Sequence, residues 1–366
     1  MTSPRLGRLD SVRAAMVARG VECLLLSLGA DLPWLTGYTA MPLERLTMLV
    51  LPAHGGATLV VPRLEAPRVE ADPDAFTVQP WDETEDPVEI VASLVGTRRH
   101  LAISDRAWAT FLLQLQAQLP GATWRKASSV TGPLRAVKDA GEVAALTAAS
   151  AAADRVATAL VAGEIPLMGR TEAQVSEDLG HRLMAEGHQR VNFAIVGSGP
   201  NSASPHHNAS SRVIGPGEAV VCDFGGTMDG YCSDITRTVF TGDPPSEFVA
   251  LYSVLQRAQA AAVQAAAVGT PCEQVDRTAR DIIAGAGYGP YFIHRTGHGI
   301  GLEEHEDPYI VVGNDQPLVP GHAFSVEPGI YLPGRYGARI EDIVVASDDG
   351  PRALNAVDHA LAVVEA

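Results

Sequence analysis

The chain has 366 residues, of which 46% are hydrophobic and 19% are charged. This length is too great for one ordinary core and fits two domains, and the composition is that of a globular protein, not a disordered one. The formal net charge of -16 argues against nucleic acid or an anionic membrane surface as a partner, because both require basic patches that neutralise phosphate.

The first part of the chain, residues 1–130, alternates helical patterns with short β-like runs. The runs are CLLLSL, TMLVLP and ATLVVP, and the stretch 108–119 is typical of a helix. They predict a small α/β domain, in which no nucleophile elbow or phosphate loop is recognisable. Trp34 and Tyr38 are candidates for contacts at a cleft mouth or in a homodimer, although a core role suits both at least as well.

Four cysteines occur without CxxC spacing: Cys23, Cys222, Cys232 and Cys272. The N-terminal stretch MTSPRLGRLDSVRAAMVARG is charged and amphipathic, unlike a secretory signal. Together these features predict reduced thiols and a cytoplasmic protein. Apolar runs such as VECLLLSL are shorter than the roughly 20 residues that span a bilayer, so no membrane partner is expected.

A second domain is predicted for residues 131–366. Its pattern occurs twice: a long helix is predicted at about 141–161 and another at about 246–268, and each precedes a second helix and a β-like segment. The repetition predicts two related halves with a cleft between them.

The second helix of each half begins with a predicted capping box. Thr171 with Gln174 fits the first, and Thr270 with Glu273 fits the second. Pro271 is expected at the first helical position, where its missing N–H costs nothing.

Five residues of this domain, each in a Gly- or Pro-marked stretch, have the chemistry of a metal centre: Asp223, Asp234, His298, Glu327 and Glu341. Four acids at one site would repel one another and raise each other's pKa values unless cations neutralised them. Carboxylate oxygens with one imidazole favour Mn(II), Co(II) or Mg(II) over the thiolate-rich ligation of structural zinc. The pattern therefore predicts a hydrolase with two divalent metal ions.

Two of these acids lie on the arms of a predicted β-hairpin. If Met228 and Asp229 form the turn, Asp223 and Asp234 are directly opposite, roughly 5 Å apart at Cβ. If Asp229 and Gly230 form it, the two acids are diagonal neighbours on one face, roughly 7 Å apart. Either register lets them share a cation.

Several motifs resemble those of the metallopeptidase family that includes prolidase, aminopeptidase P and methionine aminopeptidase. They are DFGGTMDGYCSDITRT, HRTGHGIGLEEHEDP, FSVEPGIYLPG and ARIEDIVV, with PNSASPHH upstream. The resemblance covers nearly the whole chain, and GADLPWLTGY resembles the small N-terminal domain of the Xaa-Pro peptidases. It implies an α+β fold, in which a pita-bread catalytic domain follows a smaller α/β domain. The implied substrates are small peptides with proline in the second position.

The resemblance also implies how the metal ions are held. Asp223 binds one ion, His298 and Glu327 bind the other, and Asp234 and Glu341 bridge both. Mn(II) is the expected ion, with Co(II) or Zn(II) as alternatives.

The implied reaction is the attack of a metal-activated water on the carbonyl before proline. Glu327 takes the proton of this water and delivers it to the leaving nitrogen. His305 is expected to stabilise the oxyanion, and His294 to line the proline-side pocket and assist proton transfer.

Two further assignments have alternatives. His206 is expected to hold the substrate, although its neighbour His207 fits the same motif. Arg339 could orient Asp223 or pair with a substrate carboxylate.

The resemblance leaves the substrate length open. Aminopeptidase P-type cleavage of longer peptides is slightly favoured, with a prolidase restricted to dipeptides as the alternative. A metal-free creatinase-like hydrolase and a non-catalytic binding module are less favoured, because such relatives would be expected to have lost metal ligands. A homodimer is expected.

Overall fold

The computed structural model describes residues 4–364. The chain divides into two compact units, Met1–Arg135 and Ala136–Ala366. The predicted boundary at residues 130 and 131 lies within the last helix of unit 1, Ser128–Ala136.

Unit 1 alternates helices with strands. In chain order these are α1 (Pro4–Arg19), β1 (Cys23–Leu26), α2 (Asp31–Thr36), β2 (Met48–Pro52), β3 (Ala57–Pro62), β4 (Phe76–Trp81), α3 (Pro87–Val95), β5 (His100–Ile103), α4 (Ala109–Gln118), β6 (Thr123–Lys126) and α5 (Ser128–Ala136). The strands form one mixed sheet in the order β4-β3-β2-β1-β5-β6. β1, which reads CLLL, is buried along its whole length near the middle of this sheet. Trp34 and Tyr38 are only 5% and 4% exposed, so both are buried in unit 1, as the core alternative expected.

Unit 2 contains the remaining elements. In chain order these are α6 (Ala140–Val161), α7 (Glu172–Ala185), β7 (Arg190–Ser198), β8 (Glu218–Met228), β9 (Tyr231–Cys232), β10 (Ile235–Thr241), α8 (Ser246–Ala265), α9 (Cys272–Gly285), β11 (Gly297–Gly299), β12 (Glu306–Ile310), β13 (Ala323–Val326), β14 (Gly329–Leu332), β15 (Tyr336–Arg339), β16 (Asp342–Val345), β17 (Arg352–Ala353) and β18 (Ala362–Val364). One sheet has the order β18-β10-β8-β7, with β9 paired to β8, and a second has the order β12-β11-β13-β16-β17. β14 and β15 form a separate hairpin.

Each half of unit 2 has its own helices and core. Side chains of α6 and α7 pack with those of β8 and β10, whereas side chains of α8 and α9 pack with those of β13 to β16. A bridge between Thr236 and Glu341 joins the two halves beside the predicted metal ligands.

The first predicted capping box is confirmed. The Thr171 hydroxyl accepts from the Gln174 backbone N–H at 3.2 Å, and the Gln174 side chain accepts from the Thr171 N–H at 2.9 Å. These two bonds satisfy donors that the start of α7 leaves without intrahelical partners.

The second predicted capping box is wrong. Pro271 is the residue before α9, not its first residue, and no side chain caps the helix there. The N–H groups of Cys272 and Glu273 instead donate to the carbonyls of Gln316 and Asn314 at 3.0 and 2.8 Å. A distant backbone segment therefore supplies the acceptors that the hydroxyl of a cap would have supplied.

α6 is long and apolar enough to cross a membrane by length and composition alone. In this fold its Leu146, Ala153 and Leu160 side chains are fully buried, and the helix contacts β8, β9 and β10. These contacts are typical of a core helix in a globular domain. The apolar side chains that such a helix buries also raise its mean hydropathy.

All four cysteines are buried free thiols. Cys222 packs in the core with α6 and α7, while the next residue, Asp223, faces the cavity described below. This confirms that the two side chains leave β8 on opposite faces, as strand geometry requires.

Candidate metal centre

Five side chains from different elements of unit 2 meet in one cavity of about 460 Å³: Asp223, Asp234, His298, Glu327 and Glu341. Asp223 lies on β8 and Asp234 directly before β10. His298 lies on β11, whereas Glu327 directly follows β13 and Glu341 directly precedes β16. The two sheets thus bring together residues that are far apart in the sequence.

The hairpin that carries the two aspartates has the second of the two expected registers. Asp229 and Gly230 form its two-residue turn, with φ of 49° and 85°. Positive φ at both positions matches the twist of the two arms. Asp223 is therefore paired with Thr236, and Asp234 lies diagonally across from Asp223.

The ligand atoms are close enough to surround cations. Asp234, His298 and Glu341 each offer one atom within 4.8 Å of the others. The Nε2 atom of His298 lies 3.3 Å from Oε1 of Glu327 and 3.8 Å from Oδ2 of Asp234.

Two buried oxygens at this site have no hydrogen-bond partner. They are Oδ1 of Asp223 and Oδ1 of Asp234. A buried carboxylate oxygen without a donor is costly unless a cation neutralises it. These oxygens therefore fit a site for hard divalent metal ions.

The electrostatics agree with this interpretation. Burial and then the neighbouring carboxylates raise the pKa of Asp234 and of Glu341 well above their usual values. Burial also raises the pKa of Asp223, although Arg339 opposes this. Burial alone would raise the pKa of Glu327, but the adjacent His298 outweighs it and lowers that pKa. Bound cations would remove the repulsion that raises the first three pKa values.

Neighbouring groups orient the ligands. The Nδ1 atom of His298 lies 3.1 Å from the Gly299 carbonyl, so Nδ1–H donates there and Nε2 is the nitrogen that would bind a metal ion. The Thr236 hydroxyl donates to Oε2 of Glu341 at 2.6 Å. The Ser325 hydroxyl donates to Oε1 of Glu327 at 3.0 Å.

Arg339 orients Asp223, the first of the two alternatives for this residue. Its Nη2 donates to Oδ2 of Asp223 at 2.5 Å, and its Nε donates to the Thr236 hydroxyl at 3.1 Å. Its Nη1 lies 2.8 Å from the Tyr331 hydroxyl and 3.3 Å from the Pro205 carbonyl. Because the guanidinium is buried and shared among these acceptors, it binds groups of the protein rather than a substrate carboxylate.

Tyr331 connects Arg339 to His294. The Tyr331 oxygen accepts from Arg339, so its O–H donates to Nε2 of His294 at 2.9 Å. Nδ1–H of His294 donates to the Arg295 carbonyl at 2.7 Å. Both nitrogens of the cavity-lining His294 ring therefore have partners within the chain. Sequence reasoning missed Tyr331, and its position in SVEPGIY two residues beyond the Pro-Gly pair was the available signal.

His206 and His207 have different surroundings. His206 is exposed and lines the cavity. His207 instead lies 2.8 Å from the buried carboxylate of Glu172. Only His206 of the two lines the cavity.

His305 lies beside the metal ligands, with its ring centroid 3.9 Å from that of His298. Partial burial, His298 and the Arg295 guanidinium lower the pKa of His305, so the ring is neutral at pH 7. Nη2 of Arg295 donates to Nδ1 of His305 at 3.2 Å, which leaves the ring proton on Nε2. Arg295 and Glu304 also line the cavity, and sequence reasoning missed both.

Comparisons with known proteins agree with this site. The sequence model of metallopeptidase family M24 matches residues 142–348, and that of the creatinase/prolidase N-terminal domain matches residues 8–137. A Mycobacterium bovis protein named "Probable dipeptidase PepE" is 47% identical over 362 residues, which are 98% of this chain and 96% of the relative. A Lactobacillus helveticus Xaa-Pro dipeptidase is 36% identical over 370 residues, 97% of this chain and 98% of the relative. The crystal structure of a Thermococcus sibiricus prolidase matches with a TM-score of 0.93 and 37% identity, and the match covers 100% of both chains.

The matches confirm the predicted family and the α+β fold class, with the creatinase/prolidase-type domain before the catalytic one. They also agree with the metal-dependent enzyme rather than with a non-catalytic module. The chain therefore belongs to metallopeptidase family M24 and is a metal-dependent peptidase.

Proposed function

We propose that this enzyme is an Xaa-Pro dipeptidase, a prolidase that cleaves dipeptides with proline in the second position. The relatives named as dipeptidases support this alternative over the aminopeptidase P-type activity that the sequence slightly favoured. The observation in this structure that carries the proposal is Arg295, a guanidinium on the cavity wall.

Arg295 is suited to the carboxylate that a dipeptide presents next to its scissile bond. Arg339, the other arginine lining the cavity, is already shared among Asp223, Thr236 and Tyr331. Arg295 is half-buried, packs over the Tyr309 ring at 4.5 Å and donates to His305. A planar guanidinium held in this way can bind a carboxylate through two parallel hydrogen bonds.

The five residues of the metal centre would hold two divalent ions: Asp223, Asp234, His298, Glu327 and Glu341. Mn(II) suits the oxygen-rich donor set, with Co(II) or Zn(II) as alternatives. When bound, such ions polarise a scissile carbonyl and lower the pKa of a water near it.

The side chains of the protein supply the proton transfers. Glu327, with its pKa lowered, is ionised at neutral pH and accepts a proton from the attacking water, then returns it to the leaving nitrogen. The Nε2–H of neutral His305 donates to the developing oxyanion, a contribution of about 3 kcal/mol for one well-placed donor. His294 forms part of the pocket wall, because both of its nitrogens are engaged by Tyr331 and Arg295.

The test compares an Xaa-Pro dipeptide, its C-terminal amide and an Xaa-Pro-Xaa tripeptide, using Mn(II)-loaded and chelator-stripped enzyme. We expect metal-dependent cleavage of the dipeptide and much weaker cleavage of the other two. Arg295→Gln should raise KM for the dipeptide by about tenfold, the effect of losing about 1.4 kcal/mol of binding free energy, with little change for the amide. Equal cleavage of dipeptide and tripeptide would favour aminopeptidase P and reject the proposal.

Two further sequence predictions stay proposals. The four buried thiols support a reducing compartment such as the cytoplasm, and fractionation of the native host would test this. The expected homodimer can be tested by light scattering of the purified protein.

A further inference from the structure

An ion pair on α9 with a buried carboxylate lies outside the metal centre. Asp276 is fully buried and Arg280 follows it one helical turn later. Nε of Arg280 donates to Oδ2 of Asp276 at 2.9 Å, and Nη2 donates to Oδ1 at 2.9 Å. The two planar groups therefore pair through two hydrogen bonds.

This pair holds the irregular segment 292–296, which connects the turn at Gly289–Tyr291 to β11. Arg280 donates to the carbonyls of Phe292 and His294 at 3.0 and 2.9 Å. Its guanidinium also packs over the Phe292 ring, 4.2 Å from the centroid. The N-terminal part of the segment is thus held by three contacts with one side chain.

Asp276 holds the other end of the segment. Its Oδ1 accepts from the Thr296 N–H at 3.0 Å and from the Thr296 hydroxyl at 2.8 Å. The Thr296 carbonyl in turn accepts from the N–H of Glu327 at 2.8 Å. The carbonyl of His294 is itself one of the anchored groups, Arg295 lies between it and Thr296, and the side chains of His294 and Arg295 both line the cavity.

A second pair on α9 has the same spacing and different surroundings. Arg277 and Glu273 are also four residues apart, but they lie 3.6 Å from each other and are 52% and 31% exposed. In the first pair the arginine is 29% exposed and the carboxylate is 0% exposed. An exposed pair of this kind contributes little to stability. The Asp276–Arg280 pair, in contrast, binds two backbone carbonyls of the segment 292–296. It also shares the Thr296 N–H with the Ile310 carbonyl of β12, which lies 3.1 Å from that nitrogen.

We propose that Asp276 and Arg280 are positioning residues that hold His294 and Arg295 against the cavity and thereby set the affinity for the substrate. The substrate assignment in this statement rests on the proposed dipeptidase function. Neither residue touches the reacting atoms, and both act through the segment 292–296.

The experiment compares Arg280→Gln, the conservative Arg280→Lys and the matched control Arg277→Gln, all with equal bound Mn(II). Hydrogen–deuterium exchange of the segment 292–297 is measured first, because it does not depend on activity. We expect about tenfold faster exchange there in Arg280→Gln, because a segment without its anchors opens more easily. Arg280→Lys should show a smaller increase, and Arg277→Gln should show none.

Kinetics on the dipeptide and its C-terminal amide provide the second measurement. Arg280→Gln should raise KM for the dipeptide by about tenfold or more, with a smaller change in kcat and a smaller effect on the amide. Arg280→Lys should recover part of this loss, since it restores a cation near Asp276. If Arg280→Gln does not fold, the exchange rates and KM of Arg280→Lys are compared with those of Arg277→Gln instead.

The outcomes separate this inference from the proposed function. Unchanged exchange and unchanged KM in Arg280→Gln would overturn the positioning role even if the wild-type enzyme is a dipeptidase. Faster exchange throughout unit 2 would also overturn it, because the pair would then support the whole fold. If the wild type cleaves no dipeptide, the proposed function fails, while local exchange still decides whether the pair holds this segment.

Discussion

Glu172, at the start of α7, is a buried carboxylate whose replacement should change stability in a pH-dependent way. Its side chain is 0% exposed. It accepts from Ser198 N–H and hydroxyl, both at 2.8 Å, and from the Ser210 hydroxyl at 2.6 Å. Asn201 at 3.1 Å, His207 at 2.8 Å and the Ser210 N–H at 3.2 Å also contact this carboxylate. The carboxylate thereby joins α7 to the loop that carries His207.

The magnitude follows from the pKa of this group. Burial would raise the pKa of Glu172, but the hydrogen bonds from Ser210, Ser198 and His207 outweigh it and lower the pKa from 4.5 to about 2. A shift of this size corresponds to about 3 kcal/mol at ~1.4 kcal/mol per pKa unit. Because the folded-state pKa is the lower one, this stabilisation is present above pH 4.5 and is lost as the pH falls towards 2.

Glu172→Gln should therefore lower the free energy of unfolding by about 3 kcal/mol at pH 7, since an amide places a donor against these donors. The difference from wild type should shrink by about 1 kcal/mol at pH 3.5, where the unfolded wild type is mostly protonated. Urea unfolding of both metal-free proteins measures this, with Glu177→Gln as the exposed control on the same helix. A difference that is constant with pH would refute the argument that the charge of Glu172 carries the effect.

Two further changes test the site. Tyr331→Phe removes the hydroxyl that links Arg339 to His294. We expect the free energy of unfolding in urea to fall by about 1–3 kcal/mol and kcat/KM to decrease. Unchanged values of both would show that the hydroxyl is dispensable. Asp234→Asn should bind fewer metal ions by elemental analysis. Its metal-free form should be more stable than metal-free wild type at pH 7, because a carboxyl whose pKa is raised in the folded state destabilises that state when ionised. Lower stability of that form would contradict the repulsion inferred among the carboxylates.

Local patterns predicted much of this protein. Apolar periodicity located the long helices α6 and α8, and the hydroxyl and amide of Thr171 and Gln174 suited a capping box because both partners lie within one turn. The residue types of the five metal-centre positions indicated cations, because four acids and an imidazole have few other reasons to occur in such motifs. The sequence allowed two registers for the hairpin that carries Asp223 and Asp234. The structure has the register with an Asp229-Gly230 turn, in which both turn residues have positive φ.

Contacts between distant segments decided the rest. The start of α9 was mispredicted because the carbonyls of residues 314 and 316, about forty positions away, satisfy its N–H groups. The choice between His206 and His207 depended on where Glu172 lies, and the role of Arg339 depended on Asp223 and Tyr331. The sequence by itself determined which chemistry this chain carries, because side-chain type and short-range spacing are local properties. Only the tertiary structure decided which side chains hydrogen-bond within the protein and which face the cavity, because both depend on which backbone segments meet.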